Sequence, residues 1–290
     1  MKRCLACEAR FERDGWTCPS CGYEPAHGDF PLFAPEAAGT DEGMERGVFS
    51  TLARLEPTSF WFRNRNRVLV SVLRQSFPDA RNMLEVGCGT GYVLAAVRAA
   101  NPALRLTGGE LYVEALEAAR ERLPDVELVQ VDGRRLPYEH EFDVAGAFDV
   151  LEHVDEDEAV LAELARALRP GGGLLVTVPQ HRWLWSSVDD YSHHKRRYRR
   201  RELVTKLERA GFGVRRVTSF VTVLLPVMAL SRMVRRRQAT DELDPYADFR
   251  LPRAVDRAFE LFLTGERALL DRGVSLPAGG SLLAVARRAA

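Results

Sequence analysis

Three things are scarce in this chain of 290 residues. Net charge is the first: Lys+Arg and Asp+Glu both number 41. A balanced chain has no global pull toward nucleic acid, although local basic patches remain open. Long apolar runs are the second. No stretch reaches the roughly 18–20 apolar residues that cross a bilayer, and Met1-Lys2-Arg3-Cys4 is not followed by a long apolar segment, so no signal peptide is expected. Cysteine is the third: four of the five fall within the first 21 residues. The remaining composition, 46% hydrophobic and 28% charged, is that of a globular protein. A cytoplasmic location is expected, with the inner face of the membrane as a peripheral alternative.

The crowded cysteines come as two knuckles, Cys4-Leu5-Ala6-Cys7 and Cys18-Pro19-Ser20-Cys21. Four thiolates at that spacing close a tetrahedron around zinc. So small a segment has little core, and metal binding would supply most of its folding energy. Residues 1–28 are therefore read as a zinc ribbon with Cys4, Cys7, Cys18 and Cys21 as ligands. The zinc is structural, because four cysteines leave no open position. A linker with little regular structure is expected over 29–47, rich in Gly, Pro and acids. Helical spacing follows from Val48 to Phe77, interrupted by Ser59–Arg67, whose aromatics suit either the core or a cap over a ligand.

The chain is organised around Met83-Leu84-Glu85-Val86-Gly87-Cys88-Gly89-Thr90-Gly91-Tyr92. This reads as a strand, a glycine turn and a helix start, where a ligand can lie against bare backbone. Strands at 104–110, 126–132, 142–148 and 174–178 alternate with helices at 113–123 and 155–168, the latter with Asp155 as a candidate N-cap. That alternation argues an α/β, doubly wound, mainly parallel sheet. Ligands in such sheets bind at the carboxyl ends of strands, where Glu85, Glu110 and Asp132 all fall.

A dinucleotide fingerprint needs glycine at position 92, and Tyr92 stands there. The leading Glu85 is a poor neighbour for a pyrophosphate and a good one for a cationic amino-acid end. Glu110 suits ribose hydroxyls and Asp132 an adenine amine. S-adenosylmethionine combines these groups without phosphate.

On these residues the chain resembles the class I S-adenosylmethionine-dependent methyltransferases. Leu84–Gly91, Val131-Asp132-Gly133 with Leu136-Pro137, Phe142–Val154 and Leu168–Gly173 look like successive family motifs. The resemblance implies a seven-stranded Rossmann-like sheet ending in an antiparallel hairpin, with Phe212–Phe220 and Ser281–Val285 as its last strands. It divides the chain into a core over 48–220, a helical insertion over 221–279 and a last strand with tail over 280–290. It also implies cofactor contacts from Glu85, Gly87, Cys88, Gly89, Gly91, Glu110, Leu111, Asp132, Gly133, Phe148 and Asp149. His153 packs beside the cofactor in this motif and is less expected as a catalyst.

The segment Val178–Tyr198 leaves a central strand and is expected over the cofactor. If the acceptor is a hydroxyl, a base must take its proton. His181 and His193 are the candidates, with Asp189 as the group that orients either. The basic run His194–Arg201 suits a solvated helix start, an anion site or RNA backbone. Phe220–Arg237, apolar and closed by arginines, suits a membrane interface, a cover over a lipophilic substrate, or a buried helix. The expected partner is a small-molecule or lipid-linked acceptor: quinone-like, glycan or lipid intermediate. RNA methylation is the alternative activity, and a non-catalytic cofactor-binding module a third.

Overall fold

The apolar runs on either side of the glycine turn become parallel strands: β5 (Asn82–Val86), β6 (Arg105–Glu110), β7 (Glu127–Gln130), β8 (Phe142–Phe148) and β9 (Leu168–Pro179). This computed structural model describes residues 1–37, 47–235 and 250–289. β10 (Phe212–Phe220) and β11 (Ser281–Arg288) close one edge as an antiparallel hairpin, β11 pairing with β9. Helices α3 (Tyr92–Ala100), α4 (Val113–Arg122), α5 (Asp157–Ala167) and α7 (Arg200–Arg209) cover the faces. Their apolar stripes and the doubly buried strands make two cores, one per face: Leu94, Leu106, Leu116 and Val144 on one, Leu84, Val129, Leu161 and Leu203 on the other.

Among the described residues the sheet has nine strands, two more than expected: with β3 (Ala26–His27) and β4 (Pro31–Leu32) at one edge the order is β10-β11-β9-β8-β5-β6-β7-β4-β3. The two additions come from the end of the ribbon and the segment read as an irregular linker. They form because Gln130 clamps the chain to the sheet edge: its Oε1 accepts from Ala34 N at 2.9 Å and its Nε2 donates to Ala34 O at 2.8 Å. Residues 38–46 of that linker, with Gly39 and Gly43, lie outside the described residues, as do Arg236 and Arg237 and the rest of 236–249.

Other boundaries move for local reasons. The helical stretch 48–77 is two helices, α1 (Val48–Leu55) and α2 (Phe60–Ser76), broken around Pro57. α5 is preceded by Glu156 rather than Asp155 at its N-cap. Gly171–Gly173, expected as a break before the strand, lie inside β9, where the pairing with β8 shifts register.

The insertion packs as part of the same body. α8 (Leu225–Arg235) follows β10 directly, and α9 (Arg253–Asp271) is fastened by buried acids. Glu266 accepts from the amides of Val221, Thr222 and Val223 at 2.6–2.9 Å, fixing the turn into α8. Asp256 accepts from Phe60 N at 2.6 Å and from Arg63 at 2.5 Å, fixing the start of α2. No helix among the described residues is long and apolar enough to cross a membrane.

The cysteine segment also docks on the core. Arg3, buried, donates to Leu136 O at 2.9 Å and to Glu163 at 2.7 Å. Trp16 packs edge-on against Phe33 and Tyr138.

Candidate functional site

A cavity of about 700 Å³ opens at the carboxyl ends of β5, β6 and β8, on the sheet position where strand order reverses between β5 and β8. Its floor is the glycine turn. Gly87 has φ +69°, and a Cβ there would stand 2.4 Å from Val150 Cγ2, so only glycine fits between the ligand space and the next strand's loop. Gly91 serves a different purpose. It is not on the cavity wall; its φ is +72° and a Cβ would meet Ala119 at 3.0 Å, so it permits α3 and α4 to approach.

The expected acids are brought together. Glu85 is buried on the wall with its Oε2 unpartnered. Burial, with Glu110 and Glu56 nearby, raises its carboxyl well above the usual carboxylate range, against the pull of Arg65. A buried acid facing a cavity in this state is built for a cationic partner. Glu110 accepts from Gly89 N at 2.8 Å, Leu111 N at 2.7 Å and Tyr112 N at 3.2 Å, so it braces the turn while lining the cavity. Burial raises its pKa and these amides hold it back. Asp132 is paired with Arg134 at 2.7 Å, which keeps it ionised despite burial. Cys88, Leu111, Gly133, Phe148 and Asp149 also line the space. Asp149 takes φ +59° and is held there by Arg65 at 2.6 Å. These donor sets fit S-adenosylmethionine: an orphaned carboxylate for the ammonium, open backbone at Gly87 and Gly89, and acids at the ribose and adenine ends.

The far end of the cavity separates the expected catalytic pair from the wall. Neither His181 nor His193 lines it; His194 does. His181 (φ +64°) and His193 (φ +51°) are the turning points of the loop, and His181 stacks at 5.4 Å from Trp183. Asp189 is fully buried and orients His194: its Oδ1 lies 2.8 Å from Nδ1, while Arg197 donates to the same carboxylate at 2.7 and 3.0 Å. Burial opposes ionisation of Asp189, but His194 and Arg197 hold it well below the usual carboxylate range. Adjacent histidines cannot be separated by composition; Asp189, on the short helix α6 (Ser187–Tyr191), holds His194 at the cavity. Lys195 N donates to Glu152 O at 2.7 Å and seats the loop on the turn that carries Glu152 and His153.

Arg65 and Glu152 were not singled out from sequence; His153 and the apolar segment behind β10 were, and all four features belong to the cavity wall. Arg65 joins the wall from α2, stacked 4.9 Å over Trp61. Glu152 is buried with both oxygens unpartnered, and burial with Asp149 raises its pKa well above normal. His153 is pushed down to about 3, by burial first and then by His194, and is therefore neutral. Val221, Leu224, Val227, Met228, Val255 and Phe259 make the far half of the cavity apolar. The signal that could have found Arg65 is the aromatic-arginine cluster Trp61–Arg67, left open above.

The basic run is largely consumed inside the molecule. Arg197 pairs with Asp189, Arg196 with Asp157 at 3.2 Å and Lys195 with Asp155 at 3.7 Å, while Arg200 donates to Val217 O and Leu276 O.

In the N-terminal segment, the four expected sulfurs lie within 4.8 Å of one another. Cys4–Cys21 and Cys7–Cys18 are 3.6 and 3.7 Å apart, near the ~3.8 Å edge of a tetrahedron with ~2.3 Å zinc–sulfur bonds.

Residues 84–176 match the family described as "Methyltransferase domain". A relative in Mycolicibacterium smegmatis, named as a probable S-adenosylmethionine-dependent methyltransferase, is 33% identical over 57% of this chain and 63% of its own length. Trans-aconitate 2-methyltransferase of an Azoarcus species is 33% identical over 37% of this chain and 43% of its own. The chain thus spans about half the length of these relatives. Phosphoethanolamine N-methyltransferase 2 of Haemonchus contortus, solved with S-adenosyl-L-methionine, shares the fold: TM-score 0.51, 18% identity, 78% of this chain and 53% of that one.

Proposed function

We propose that this chain, which carries a class I S-adenosylmethionine-dependent methyltransferase domain, methylates a hydroxyl on a largely apolar small molecule. Quinone-like and lipid-linked acceptors are the classes in view, with lipid-carried glycans among them. One observation carries this reading: a single cavity joins the Glu85–Glu110 donor floor to an apolar wall from α8 and α9, with Glu152, His153 and His194 between them.

S-adenosylmethionine held on the floor would supply an electrophilic methyl group, with a neutral thioether as its leaving group. Glu85 would take the ammonium, Glu110 the ribose hydroxyls, and Asp132 with Gly133 the adenine. Phe148 and Asp149 would lie beneath the sulfonium. Transfer is in-line, so the chain's main work is to hold the acceptor and exclude water. The acceptor hydroxyl would face the Glu152–His153–His194 corner and lose its proton there. Asp189 and Arg197 keep His194 aimed at it.

Zinc at Cys4, Cys7, Cys18 and Cys21 would hold the N-terminal segment against the core. The apolar face of α8, with Leu230 62% and Met233 58% exposed, supports delivery of the acceptor from a membrane surface. The consumed basic run argues against RNA. The test is incubation with methyl-labelled cofactor and a fractionated cell extract. Label in the organic-soluble fraction is expected; label in RNA or protein alone would overturn the reading.

A further inference from the structure

We propose that Glu152, His153 and His194 form a divalent-metal site at the acceptor end of the cavity, separate from the four-cysteine cluster. One donor atom from each lies within 4.8 Å of the others, and all three residues face the cavity. A metal about 2.1 Å from each donor needs them ~3–3.5 Å apart, so binding would draw the donors together by at most ~1.3–1.8 Å from the 4.8 Å limit.

Two independent observations point to a cation. Glu152 is 1% exposed and neither oxygen has a partner. The neighbouring acids are each matched, Asp149 by Arg65 and Asp189 by Arg197, so Glu152 is left as the buried acid of this corner with no direct partner among the described residues. Taking a carboxylate out of water without a counter-charge is strongly unfavourable. His194, moreover, is held from behind as a metal ligand is: Asp189 binds its Nδ1 at 2.8 Å, which leaves Nε2 for the metal. Two imidazoles and one carboxylate suit zinc, iron(II) or manganese(II) and leave coordination positions open. An acceptor hydroxyl entering an open position would bind through oxygen and release its proton to solvent more readily. That use rests on the methyl-transfer reading; the metal site does not.

The test uses the full-length protein. Manganese(II) binding is followed by electron paramagnetic resonance, since thiolates compete poorly for this ion, and zinc content by elemental analysis. Wild type is expected to bind one manganese, and one zinc beyond any lost in Cys18→Ser. Glu152→Gln and His194→Ala should each weaken manganese binding at least tenfold and lose that extra zinc, while their melting transitions stay cooperative. Wild type with no manganese site, or unchanged affinity in both folded variants, would overturn the proposal. A metal that binds without affecting methyl transfer would leave the site standing and overturn its use. Failure of wild type to bind S-adenosylmethionine would instead overturn the donor-site reading.

Discussion

The two ends of the cavity are built in opposite ways. The donor floor is local: Glu85, Gly87 and Gly89 lie within five residues, and Glu110 reaches back to Gly89 N at 2.8 Å. The acceptor end is assembled from α2, the loop 180–198, α8 and α9, which are far apart in the chain. The floor is held by backbone conformation, the acceptor end by buried ion pairs such as Asp189–Arg197 and by the acids of α9. Damage to one end should therefore leave the other working, and this independence can be tested.

The largest separation is expected at His194. His194→Ala should lower turnover about 10²–10⁴-fold, the range for losing help with the acceptor's proton, whether given by the imidazole or through a metal it holds, with the dissociation constant for S-adenosylmethionine changed less than about threefold. Equal losses in both would merge the two ends. Gly87→Val should do the reverse. A left-handed residue with a side chain pressed on Val150 costs about 2–5 kcal/mol, and cofactor binding by calorimetry should weaken at least ~30-fold. Glu110→Ala removes a charged acceptor worth about 1.5–3 kcal/mol, or roughly 10–150-fold in the same measurement.

A smaller effect should appear with pH. Burial raises Glu85 in the empty site, and a bound ammonium would lower it again. The bound form then carries fewer protons, so affinity should fall as pH drops through the raised pKa, by at most about tenfold per unit. Glu85→Gln should flatten that slope. Smallest of all, Leu230→Asp should reduce flotation with anionic vesicles while leaving cofactor affinity unchanged; undiminished flotation would remove the membrane-facing role of α8.

The same contrast explains what could be read in advance. β5, β8 and the acids at strand ends follow from alternation, glycine spacing and length, which are properties of adjacent residues. The acceptor end depends on which way a side chain turns once distant segments meet. His193 and His194 are chemically alike, and only the seating of Lys195 on Glu152 and of His194 on Asp189 decides between them. Glu152 gave no sign in sequence either, because an acid beside His153 reads as a surface residue until the fold buries it. The strands β3 and β4 were missed for a similar reason: two residues each, they exist because Gln130 offers an edge to pair with.

The most direct measurement of the central claim is calorimetric binding of S-adenosylmethionine to wild type and to Glu85→Gln at neutral pH. The account predicts a single site in wild type and substantially weaker binding in the variant, because the buried carboxylate at the floor is matched to the cofactor's ammonium. Equal affinity in the two proteins would contradict it.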